Sequence, residues 1–465
     1  MSALPEQVSV VNVGLPMFAE ALRAQGVAVQ QVDWRIPAGG DLATVSLLSR
    51  LYGDQASTVE AANAEVVRRL DSGQPQLVEV STVAQAVPGI AGRTLLHCGP
   101  AIGFGQVCDP LRRSMRAAVV AEGWASDVEE AQRLLAGGDV ALQPANFHQA
   151  VVPMASAIGP SAPVLVVADE QGGTRSYAPV SQGPGEVAWF GRDTDAAIER
   201  LRFLRDVAGP ALRRIVGSAG PLDILSLAAQ GVSMGDDLHM RTQAATNLLV
   251  RTWLPQLAEL PGRQRGPMAR FLAGNHLFFL TLAMAAAKAL TLWAEQVSDS
   301  SIVTSMSRNG TTFGIKLAGS GDWHITEAPP ITDALYYSGY GPDDAAPDIG
   351  DSAVLELVGL GGPAAAGSPA VAAFLGGSMA DARRTTEAFR RICAGTSSRF
   401  KLPPLDFTGT PIGVDVRRVV ELGITPQITT GILHSSSGAG QIGAGVATAP
   451  LECFTAALTA LATRR

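Results

Sequence analysis

Apolar positions fall into short strand-like runs separated by stripes of helical period, the pattern of strands alternating with helices. Residues 8–13 are an apolar run that stops at Gly14-Leu15-Pro16. An amphipathic stretch follows, with Phe18, Ala19 and Leu22 on one face and Gln25-Gly26 at its end. Residues 27–32 form a second strand-like run ending in Asp33-Trp34-Arg35. This order predicts a right-handed βαβ unit, Rossmann-like in outline, with the Asp33 carboxylate at the tip of its second strand. Gly14 stands alone where a dinucleotide fingerprint has three glycines, so a nucleotide site and a purely structural unit both stay open.

Further along, 55–70 and 110–122 read as helices and 77–80 and 94–97 as strands. Ser126-Asp127-Val128-Glu129 opens another helix, with carboxylates in its first turn. Strands are predicted at 151–157, 164–168 and 186–190, then a helix at 194–205. From 209 to 297 the strands stop. Helical patterns cover 222–230, 238–257 and 268–296, the last carrying Leu277, Leu280, Met284, Ala287 and Leu290 as a buried stripe. Strands return at 302–305, 313–317 and 353–358, around the Gly/Pro/Asp-rich stretches 338–351 and 359–369, and a helix at 451–463 closes the chain. The expected fold is α/β: a Rossmann-like part at 1–125, a second α/β region at 126–208, a helical subdomain at 209–298, and a C-terminal α/β domain with a glycine-rich loop at 299–465.

Composition narrows the function classes. A chain of 465 residues with 47% hydrophobic and 17% charged positions is not disordered. Its net charge of −7 and six histidines argue against a nucleic-acid binder, which needs a basic face. Cys98, Cys108, Cys393 and Cys453 form no CxxC pair and read as reduced thiols. The apolar run 277–287 is too short for a membrane span, which takes about 20 residues. The N-terminus shows no basic region followed by a long apolar stretch. A soluble, cytoplasmic protein without a cofactor is expected.

Four segments could carry chemistry. Met234-Gly235-Asp236-Asp237-Leu238-His239-Met240-Arg241 is the densest polar cluster in the helical region. On a helix, Asp237 and Arg241 would share a face, as a cap with one ion pair or as a carboxylate–His–Arg set that binds an anion and moves a proton. Asn247, Asn275 and His276 could join the same pocket wall or serve as cap and core residues. A metal held by Asp236, Asp237, His239 and His276 has no supporting motif. In 304–312, Ser305, Ser307, Arg308, Asn309 and Thr311 could bind a phosphate or carboxylate, or Asn309-Gly310 could be a hairpin corner. His434, Ser435, Ser436, Ser437 and Gly438 could form an anion nest or an unliganded loop; no Walker lysine follows. Asp343, Asp344, Asp348 and Asp351 read as a solvated acidic loop, or as a source of one site carboxylate.

The blocks VNVGLPMFAEALRAQGVAVQQVDWRIPAGGD, MGDDLHMRTQAATNLL, GNHLFFLTLAMAAAK, SMSRNGTTFGI, DIGDSAVLELVGLGG and HSSSGAGQIGAGVATAPLECF, in this order, resemble the YlbE/YahG-like family (DUF1116). The resemblance covers nearly the whole chain. It implies similarity to a subunit of the oxamate carbamoyltransferase of anaerobic allantoin degradation, working in an oligomer beside an FdrA-like protein and a third small subunit. The implied reaction interconverts oxalurate plus phosphate with oxamate plus carbamoyl phosphate. On that reading His239, with Asp237 and His276, would be catalytic. Arg241 would pair the acid, Ser305, Ser307, Arg308 and Thr311 the phosphate, and the loop at Gly438 the remaining anion. A partner-docking subunit without an active site, or a CoA- or nucleotide-dependent acyltransferase, are the alternatives.

Overall fold

The computed structural model describes residues 9–32, 35–374 and 377–464; Asp33 and Trp34 lie outside them. At the N-terminus, β1 (Ser9–Val13), α1 (Pro16–Ala24) and β2 (Ala28–Val32) make the expected crossover with parallel strands. The pair forms its own two-stranded sheet, so this unit starts a Rossmann pattern without extending it.

Two sheets follow. In one, β3 (Gln76–Thr82) is a central strand. In the other, β4 (Thr94–His97), α2 (Asp109–Ala121), α3 (Val128–Gly137) and β5 (Ala141–Pro144) form a second parallel crossover. Asp127 caps α3 by accepting from the Glu130 amide, and Gly138 ends it in a left-handed conformation. β6 (Pro163–Asp169) pairs with β3, and β7 (Thr174–Pro179) pairs with β6, both antiparallel. Two expected strands are absent: 151–156 is irregular, and Ala188–Phe190 is a 3-10 turn. Both segments contribute to the cavity described below, through Met154 and Trp189.

The helical part contains α4 (Ile224–Ser233), α5 (Gln243–Glu259), α6 (Gly262–Ala273) and α7 (Phe278–Ala294). The helix expected at 238–257 starts only at Gln243, because Asp236 and Asp237 hold the preceding residues in a loop. The pattern at 268–296 is broken at Gly274-Asn275-His276, where the chain bends by 81° between α6 and α7. No single helix among the described residues is long and apolar enough to cross a membrane; α6 and α7 together pass by length and composition alone. Helix α7 is buried along almost its whole length, apolar on every side because it packs on β6, β7 and the helix Ala56–Ser72. Hydroxyls of Thr174 and Ser176 on β7 donate to the carbonyls of Ala289 and Ala285 at 3.0 and 2.6 Å, tying strand to helix.

In the C-terminal part, β8 (Val303–Asn309) and β9 (Thr312–Leu317) form a hairpin, and β10 (Ile331–Tyr336) opens the last sheet. The strand expected at 353–358 is instead a helical turn, α8 (Val354–Leu357), whose apolar residues are buried on all sides. Strands β11 (Gln427–Leu433) and β12 (Gln441–Thr448) complete the sheet in the order β10–β12–β11, and α9 (Leu451–Thr463) ends the chain. The larger apolar core draws on residues from Leu48 to Ala462. A second, centred on Leu95, Met115 and Trp189, reaches across to Ile349 and Leu433.

Candidate functional site

The segment Asp236–Arg241 is a loop held by its own carboxylates. Asp237 Oδ1 accepts from the amides of His239, Met240 and Arg241 at 3.2, 3.1 and 2.8 Å, while its backbone carbonyl accepts from Gly361 N–H at 2.7 Å. Asp236 Oδ2 accepts from the Ala245 amide at 2.8 Å, satisfying a free donor in the first turn of α5. Leu238 between them sits at φ 64°, a strained conformation for a leucine that this bonding enforces. Burial pushes the Asp236 carboxyl up to about 6 and raises Asp237 as well, against the pull of the amides each accepts.

This loop aims His239 and Arg241 into a cavity of about 440 Å³. The expected orientation of His239 by Asp237 is not what is found. His239 Nδ1 instead meets Glu356 Oε1 of α8 at 2.7 Å, with the two side chains 4% and 0% exposed. With Nδ1 taken, Nε2 is the ring atom left for a ligand. Glu356 is raised by burial, and the neighbouring His239 pulls it back down. Gly361 is required here: at φ 63°, a Cβ would overlap Glu356 Oε1. Arg241 pairs with Asp236 at 3.2 Å rather than with Asp237, and its side chain stays 38% exposed at the cavity.

His276 lines the same cavity from the break between α6 and α7. Its carbonyl accepts from Thr242 at 2.8 Å and Thr246 at 3.2 Å, and burial lowers its imidazole pKa, favouring the neutral ring. Asn275 turns away and is bonded to Ser181 at 3.2 Å. Asn247 is exposed on α5, outside the cavity. Among the cavity residues that escape the sequence reading are Trp189, Tyr337, Ser352 and Gln441, and Glu356 behind His239 escapes it as well. Glu356 had one signal, a single carboxylate inside the apolar run VLELVGL.

The other three candidate segments lie elsewhere. Ser305, Ser307, Arg308 and Asn309 belong to β8, every residue of which is buried. Arg308 donates to both Asp348 oxygens, at 2.7 and 2.9 Å, and to the Gly350 carbonyl at 2.6 Å, so its guanidinium is not free to fork a phosphate. Ser307 donates to Asp351, which also accepts from the amides of Gly99 and Val152 at 2.9 and 3.0 Å. Asp348 and Asp351 are therefore buried anchors rather than solvated residues. Asn309 and Thr311 make the hairpin corner: Asn309 Oδ1 accepts from the Thr311 and Thr312 amides, and Thr311 donates to Gln106 at 2.9 Å.

In the glycine-rich loop, His434 Nδ1 accepts from the Ser436 and Ser437 amides at 3.2 and 3.1 Å. The imidazole thus takes two donors an anion nest would have offered. Ser435 N–H donates to Asp344 at 2.8 Å. Arg113 covers Gly438 and donates to the Ser436 carbonyl at 3.2 Å, and Arg192 donates to the Ala439 carbonyl.

Residues 140–352 match the family described as oxamate carbamoyltransferase subunit AllG. Over 411 residues the chain is 38% identical to oxamate carbamoyltransferase subunit AllG of Escherichia coli K12, covering 87% of this chain and 98% of that one. It belongs to the family of AllG and YahG. To YahG of the same strain, whose name assigns no activity, it is 33% identical over 461 residues, 98% of both chains. The resemblance read from the six sequence blocks therefore holds. A crystal structure of a conserved protein of unknown function from Enterococcus faecalis V583 superposes with a TM-score of 0.85 at 33% identity, over 87% of this chain and 97% of that one. The mixed α/β architecture is thus shared within the family.

Proposed function

We propose that this chain is the acid-binding subunit of a carbamoyltransferase acting on oxamate- and oxalurate-like compounds in allantoin nitrogen catabolism. The supporting observation is the buried His239–Glu356 pair opening onto a cavity that also holds Arg241 and His276. Membership in the AllG family supports the reaction class.

The transfer is balanced as follows. The amide nitrogen of oxamate attacks the carbamoyl carbon of carbamoyl phosphate, the C–O bond to phosphate breaks, and the nitrogen loses one proton, giving oxalurate and hydrogen phosphate. Phosphorolysis is the reverse. In this scheme Arg241 pairs the substrate carboxylate. His239 Nε2 takes the proton in one direction and returns it in the other, and Glu356 is a positioning residue that fixes the tautomer. Neutral His276 donates a hydrogen bond to the carbonyl oxygen as negative charge develops there.

The phosphate half needs cations that this cavity, among the described residues, does not offer beyond Arg241, since Arg308 is committed to Asp348. In this reading an FdrA-like subunit and a third small subunit complete the enzyme. The test is phosphate-dependent release of oxamate from oxalurate by the reconstituted complex. Glu356→Gln is expected to lower kcat by 10- to 100-fold and change its pH profile, with KM little altered. Unchanged kcat in a complex carrying Glu356→Gln contradicts the assignment.

A further inference from the structure

The cavity lining is of two kinds. Arg241, His276 and Gln441 supply polar groups, while Trp189, Phe190, Leu277, Leu280 and Val371 form a wall of large apolar side chains. Oxamate and oxalurate are polar throughout, and neither has an atom to place against an indole, a phenyl ring or leucine methyls. Their size is also far below the space. A cavity of about 440 Å³ falls within the roughly 300–1,000 Å³ that holds a drug-sized ligand. Carbamoyl phosphate, which must also reach the nitrogen at His239, brings no apolar atom either, so the co-substrate leaves that wall without a contact.

We infer that the preferred substrate of this chain is a monocarboxylic ureido or amide acid bearing an apolar substituent of aromatic or branched-aliphatic size. This rests on the proposed acid-binding role and narrows it. The carboxylate meets Arg241, the carbamoyl-bearing nitrogen faces His239 Nε2, and the substituent covers Leu277, Leu280 and Val371. Burying that substituent strengthens binding, since apolar surface leaves water on both sides of the contact.

The experiment is calorimetric titration of the purified full-length chain with two ureido acids that differ only by a benzyl group, ureidoacetate and N-carbamoylphenylalanine (both enantiomers), and with oxamate and oxalurate. Expected is at least tenfold tighter binding of one N-carbamoylphenylalanine enantiomer than of ureidoacetate. That ratio should shrink in Leu277→Trp and in Val371→Trp, two variants on different segments that put bulk on the apolar lining. Equal or weaker binding of N-carbamoylphenylalanine, with oxamate or oxalurate still bound, overturns the inference and leaves the acid-binding role standing. Binding of none of these acids by the folded chain overturns both.

Discussion

Arg308 and Arg241 are both paired arginines, yet their surroundings assign them opposite roles. Arg308 is fully buried against Asp348, and removing one partner of such a pair strands the other charge in a dry site. Arg308→Ala is expected to cost about 3–5 kcal/mol in denaturant unfolding. Arg241 is 38% exposed at the cavity and pairs with a carboxyl already raised to about 6. Arg241→Ala is therefore expected to leave the unfolding free energy within about 0.5 kcal/mol of wild type while abolishing acid binding. Gly361 carries a third residue-scale prediction. Gly361→Ala adds a Cβ that overlaps Glu356 at a backbone conformation favouring glycine. It is expected to destabilise the chain by about 1–3 kcal/mol and to displace the His239 ring, visible as changed imidazole chemical shifts in NMR spectra.

At the scale of elements, helix α7 carries a buried amine in the most apolar segment of the chain. Lys288 Nζ donates to Asn146 at 3.0 Å, and Asn146 Nδ2 donates to Ser307 at 3.2 Å. Burial lowers Lys288 from 10.5 to about 8. A base with a depressed pKa contributes stability that is present above its unfolded pKa and lost as pH falls through its folded one. The stability of wild type relative to Lys288→Met is thus expected to rise between about pH 8 and 10.5, as measured by chemical unfolding at stepped pH. A flat difference would show that Lys288 stays charged.

Helix α7 also marks how far pattern reading reaches. Its apolar character, and that of β6, is visible in the sequence because burial on all sides leaves continuous apolar runs. The turn α8 is not: four buried residues carry the same pattern as a strand, and only contacts made elsewhere in the chain make them helical. His239, Arg241 and His276 were identifiable as polar residues crowded into a helical region. Their convergence was visible too, but not the partner of His239, because Glu356 is 117 positions away and pairing at that distance leaves no local periodicity. Arg308 shows the converse. Its polar neighbours suggested an anion site, but the carboxylate that claims it comes from a loop read as solvated.

At the scale of the whole molecule, the site lies where separate layers meet. The cavity takes Trp189 from the second core, Gln441 from the last sheet, and His276 and Leu280 from the helical part. The N-terminal unit stands apart. The substantial packing of β1, α1 and β2 is among themselves, and Val11, Val13, Leu15, Met17 and Phe18 are exposed. Removal of the first 35 residues is expected to leave cooperative unfolding and acid binding intact, read by circular dichroism and titration. Loss of either would place that unit within the functional core.

The central claim is that the cavity of this chain binds the acid substrate through Arg241 and His239. Calorimetric titration of the folded chain with oxamate and oxalurate tests it most directly, with Arg241→Ala and His239→Ala as variants and Asn247→Ala, on the exposed face of α5, as a control. Saturable binding that the first two variants abolish and the control retains is the predicted result. Binding that survives in Arg241→Ala and His239→Ala, or no binding by folded wild type, would contradict the account.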